Sequence, residues 1–111
     1  MTSRSSTTTR RGRRRADFAP THPGEVLSKD YLEPMGMSQY ALAKAMGVAQ
    51  IRIGQIVAGR RAITPDTALR LARYFGTSAE FWLGMQQTYD LDLARDRIGA
   101  AIEARIAPRA A

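Results

Sequence analysis

The sequence predicts one all-α domain preceded by a basic arm, and three observations carry that expectation. Apolar residues from Pro23 onward recur at helical spacing, and no run alternates apolar and polar as a half-buried strand requires. Helix-capping residues and glycines punctuate the chain between the apolar stripes. At 111 residues the chain is long enough for one core and too short for two.

Residues 1–19 read as a disordered arm, because Ser, Thr, Arg and Gly dominate and no apolar pattern offsets chain entropy. Arg4, Arg10, Arg11, Arg13, Arg14 and Arg15 give this arm most of the formal net charge of +7. Such a tail attracts any polyanion, a nucleic acid or an acidic membrane surface alike; on DNA it could follow the minor groove or the backbone, and the reading favoured is a nonspecific electrostatic tether. Phe18 is the sizeable apolar residue at its end, and docking on the domain and hanging free fit the sequence equally.

The first helix is expected from Pro23 or Gly24 to Glu33, with proline in the first turn and Leu27, Tyr31 and Leu32 on one face. Pro34 and Gly36 are expected to stop it. A second helix opens after the N-cap Ser38 and carries Leu42, Ala45 and Met46 until Gly47 breaks it. The third covers roughly 49–58, with Ile53 and Ile56 inward and Gly59 at its end. Thr64, Pro65 and Asp66 mark the fourth start most clearly, and its stripe of Ala68, Leu71, Ala72 and Phe75 ends at Gly76. Thr77 and Glu80 have capping-box spacing ahead of a fifth helix in which Phe81 and Trp82 are assigned to the core. Asp90 is expected to cap a separate sixth helix striped by Leu91, Ala94, Ile98 and Ile102. The organisation expected is an arm (1–19), a helical domain (20–89) and a C-terminal helix with its tail (90–111).

Residues 39–58, QYALAKAMGVAQIRIGQIVA, have the spacing of a helix-turn-helix. Two short helices cross near a right angle when the first offers a small residue at the crossing, which Ala43 does. Gly47 supplies the positive φ for the turn four residues later, and Leu42, Met46, Val48, Ile53 and Ile56 fill the corner. A helical hairpin inside a bundle shares part of this pattern, but the agreement of the small residue, the glycine and five apolar positions favours the DNA-binding arrangement.

Other classes fit poorly. The chain has no cysteine and its one histidine is His22, so neither a disulfide framework nor a metal site is expected, and no cofactor is assigned. Enzyme activity is not expected, because Ser, Asp and Glu residues occupy caps or exposed faces. An RNA-binding module would display stacking aromatics, whereas these aromatics fit core positions. No apolar run approaches the roughly 20 residues of a membrane span, and no secretory signal is visible, so a cytoplasmic, nucleoid-associated protein is expected.

The stretch GRRAITPDTALRLARYFGTSAEFWLGMQ, with HPGEVLSKDYLEPMGMS before it and YDLDLA after it, resembles the HigA-type antitoxins of the lambda-repressor-like helix-turn-helix group. The resemblance spans about residues 20–95. It implies a five-helix domain, to which the sixth helix is an addition, and homodimerisation on double-stranded operator DNA. It also implies repression of the protein's own operon and neutralisation of a HigB toxin similar to the RelE-type ribonucleases that cleave mRNA. A free-standing repressor without a toxin partner has the same DNA-binding residues and is the alternative.

In that arrangement the third helix enters the major groove. With Ile53 and Ile56 inward, Ala49, Gln50, Arg52 and Gly54 face outward and Gln55 lies near the edge. Gln50 suits adenine and Arg52 suits guanine, each through two hydrogen bonds. Gln39, Arg60 and Arg61 are assigned to the sugar-phosphate backbone, and Lys44 to solvent. Ala49 and Gly54 stand where related sequences carry polar side chains, so direct readout is expected to be thin. Leu83, Met85 and the sixth-helix stripe are assigned to the dimer contact.

Overall fold

Five helices and no strand make up the described residues, 19–110, of the computed structural model. The arginine arm through Phe18 lies outside the described residues.

Helix α1 occupies residues 23–35, in three continuous segments Pro23–Val26, Leu27–Leu32 and Glu33–Met35. His22 caps it, its Nδ1 accepting the Gly24 N–H at 2.9 Å. Pro34 does not stop this helix. The segment before it is π-helical, with the Glu33 N–H bonded five residues back to Ser28, and this wider turn makes room for a proline ring that would clash in a regular α-helix. Gly36, at φ 61°, ends the helix instead.

Helices α2 (Gln39–Met46), α3 (Gln50–Val57) and α4 (Pro65–Phe75) follow, α2 and α4 with the N-caps read from the sequence and α3 starting one residue later than expected, after Ala49. Ser38 Oγ accepts the Ala41 N–H at 3.0 Å, and Thr64 Oγ1 accepts the Thr67 N–H at 3.4 Å. Helix α5 runs through Ala79–Ala94, a π-helical turn Arg95–Gly99, and Ala100–Arg105. The expected sixth helix is therefore the continuation of the fifth. Asp90 does not cap, because its carboxylate accepts a hydrogen bond from Gln86 Nε2 at 2.9 Å and nothing between Gln86 and Ala94 breaks the helix. The start of α5 also differs by one residue. Ser78 Oγ caps the Phe81 N–H at 3.0 Å, and Thr77 instead accepts the Trp82 indole N–H at 2.8 Å.

The core draws Leu27 and Leu32 from α1, Leu42 and Met46 from α2, Ile53 and Ile56 from α3, Leu71 from α4 and Trp82 from α5. Phe81 is not among them. Successive residues on a helix point about 100° apart, so α5 buries Trp82 and leaves Phe81 40% exposed, edge-on to the indole. Gly24 brings α1 against the carboxyl end of α3, since a Cβ there would overlap the Ile56 carbonyl oxygen at 1.7 Å. Gln86 reaches from α5 into the α3–α4 connection, where its Oε1 accepts the buried Ile63 N–H at 2.8 Å.

Candidate nucleic-acid interface

The angle between α2 and α3 is set by packing and by one left-handed residue. Gly47 takes φ 71° and ψ 36°, which lets Val48 N–H bond back to the Ala43 carbonyl at 3.0 Å. Ala43 is 2% exposed at the crossing, and Leu42, Ile53 and Ile56 are fully buried beneath it. Arg70 of α4 fixes the corner from outside, its Nη1 donating to the Met46 carbonyl at 2.8 Å.

That frame turns one row of α3 outward. Ala49, which caps the helix without a side-chain hydrogen bond, and Gln50 are exposed, while Gly54 and Gln55 are half-buried along the same side. Gln39, at the start of α2, leans over this row, its Oε1 3.4 Å from where a Cβ on Gly54 would stand. Arg60 and Arg61 are exposed in the connection after α3. Arg61 Nε donates to Gln55 Oε1 at 2.8 Å, so the loop and the helix edge are held as one surface.

Arg52 stands apart from this row. Its side chain is 29% exposed and turns toward α4, with Nη1 3.5 Å from Asp66 Oδ1 and 3.5 Å from Thr67 Oγ1. Asp66 also accepts from Arg70 Nε. The hydrogen bond from Arg70, helped by the charge of Arg52, holds the Asp66 carboxyl below the usual carboxylate range. The same aspartate thus links α3 to the arginine that fixes the end of α2.

Sequence reasoning passed over two groups here. Ile51 is 64% exposed on the outer side of α3, and the signal was available, because it precedes buried Ile53 by two residues, about 200° around the helix. His22 entered the sequence reading only as the one histidine, too few for a metal site. It packs edge-to-face on Tyr89 of α5 at 4.9 Å, lies under Gly59, and pairs with the Arg61 main chain. Burial lowers its pKa, against the opposing pull of Asp90 and of the Arg61 carbonyl.

Comparison with known proteins agrees with this geometry. The family described as Helix-turn-helix matches residues 29–82. Virulence-associated protein I of Dichelobacter nodosus is 59% identical over 73 residues, covering 66% of this chain and 68% of that protein. Antitoxin HigA-1 of Vibrio cholerae is 39% identical over 84 residues, covering 76% of this chain and 79% of its own length. The chain belongs to the HigA antitoxin family. Among solved structures, Pseudomonas aeruginosa antitoxin HigA with the higBA promoter superposes with a TM-score of 0.80 at 42% identity, covering 82% of this chain and 99% of that one. This HigA-family chain therefore stands among helix-turn-helix antitoxins and regulators rather than enzymes. No helix among its described residues is long and apolar enough to cross a membrane.

Proposed function

We propose that this HigA-family protein is the antitoxin of a toxin–antitoxin pair, binding operator DNA as a homodimer, repressing its own operon at the nucleoid and neutralising a HigB toxin of RelE-like, mRNA-cleaving type. One observation carries the DNA half of this reading: α3 presents an outward row, led by exposed Gln50, with Gln39 beside Gly54 and the exposed Arg61 bonded to Gln55. The likeness to a HigA solved with its promoter supports DNA binding by this fold. Gln50 is then the adenine-reading residue, and Gly54 lets the helix backbone approach the duplex. Arg60, Arg61 and Gln39 engage phosphates, with Gln55 held beside Arg61. Arg52 reads guanine only by leaving Asp66, and otherwise positions α3.

The dimer contact is assigned to the far half of α5. From Arg95 onward no described residue is buried, and Leu91, Ile98 and Ile102 are 46%, 47% and 45% exposed on that rod. Leu83 and Met85, which the sequence assigned to the same contact, are half-buried against the core of their own protomer. One short helix reads few base pairs, and pairing two copies adds a second half-site.

The test is coexpression with the product of the neighbouring gene, scored for growth rescue, together with a mobility-shift assay on the DNA upstream. Rescue with a specific shift is expected. A specific shift without rescue favours the free-standing repressor. Absence of both overturns the proposal.

A further inference from the structure

A lone exposed isoleucine is ordinary on a protein surface, so the exposure of Ile51 says little by itself. Its neighbours make it informative. On the outer side of α3, Arg52 is turned to Asp66 and Thr67, Gln55 is bonded by Arg61, and Gly54 has no side chain. Gln50 and Ile51 are thus the side chains that project from the amino-terminal turn of this helix, one polar and one branched apolar. A major groove offers one apolar group, the 5-methyl of thymine, and a rigid side chain is suited to it because little rotamer freedom is lost on contact.

We infer that Ile51 is a specificity-determining residue that packs on the 5-methyl group of a thymine beside the base read by Gln50. This rests on the reading of α3 as the DNA-reading helix. Ile51 supplies the discrimination that the withdrawn Arg52 and the absent side chain at Gly54 leave open. It selects thymine over cytosine, whose corresponding position lacks the methyl.

The test uses the full chain and its upstream DNA, narrowed by footprinting to the protected duplex. Each thymine in that duplex is replaced in turn by deoxyuridine, which removes the methyl and keeps the pairing, and affinity is measured by fluorescence anisotropy. One thymine per half-site is expected to weaken wild-type binding by about threefold to fivefold on replacement, the worth of one buried methyl-sized group. Ile51→Ala is expected to lose a similar factor on the unmodified duplex and to become indifferent to uracil at that position. Its thermal midpoint serves as the folding control at this exposed site. Wild-type indifference to uracil at every thymine, or an unchanged uracil penalty in Ile51→Ala, overturns the inference while operator binding itself stands. If Gln50→Ala and Ile51→Ala both bind the operator as tightly as wild type does, the reading of α3 fails as a whole.

Discussion

At Gly24 a hydrogen atom stands where any other residue would drive a methyl into the Ile56 carbonyl. Gly24→Ala is expected to destabilise the fold by about 1–3 kcal/mol or more, because the clash is with backbone, and urea unfolding measures it. The sequence marks Gly24 only as part of a helix start, since its partner lies thirty-two residues away and no local pattern encodes that approach. His22 carries a second consequence. Burial disfavours its charged form, so the unfolded chain binds the proton more readily. Its contribution to stability is full above the unfolded pKa of about 6.5 and is lost as pH falls through the lower folded value. Protonation also removes the Nδ1 lone pair that accepts the Gly24 N–H. Urea midpoints measured from pH 8 down to pH 5 are expected to decline below about 6.5 in wild type. In His22→Asn, which keeps a capping oxygen, that decline is expected to flatten.

Among the elements, the starts of α2 and α4 and the glycine stops at Gly47 and Gly76 were legible because each is a local event. A hydroxyl caps the first turn, or a left-handed residue ends the last one. The errors fell where local signals competed. Pro34 signals a stop, yet a π-helical turn absorbs it; Asp90 signals a start, yet Gln86 takes its carboxylate. The outward row of α3 was legible from Ile53 and Ile56, and so were Gln50, Arg60 and Arg61. The turn of Arg52 toward α4 was not, because Asp66 lies fourteen residues on and meets it only in the folded corner. Asp66→Ala is expected to free Arg52 for phosphate contact and to steepen the dependence of operator affinity on salt by about one unit of log–log slope. The increment is expected to vanish in the double variant Arg52→Ala/Asp66→Ala, as salt titrations of binding will show.

For the whole molecule, the organisation is a helical corner presented at one surface and a long rod, the end of α5, leading away from the core. Helix α5 as a whole, 27 residues, measures about 40 Å, and its last turns have little of their own chain to pack on. In the proposed dimer, Ile98→Glu/Ile102→Glu is expected to shift the protein to monomer in sedimentation equilibrium, with its circular dichroism still helical and its thermal midpoint no longer rising with protein concentration. Operator affinity is expected to fall by at least tenfold, because the two half-sites no longer add their energies. The apolar stripe of the rod was plain in the sequence at Leu91, Ile98 and Ile102, whereas its continuity with the fifth helix was hidden by an aspartate that resembles a cap. The claim on which the rest depends is that the outer row of α3 meets duplex DNA, and backbone amide resonances report on it residue by residue. On titration of nitrogen-15-labelled protein with the operator duplex, the largest shift changes are expected at Ala49, Gln50, Ile51 and Gly54, with smaller ones at Gln39, Arg60 and Arg61. Unchanged resonances along α3, with the perturbations gathered on α5 instead, would contradict it.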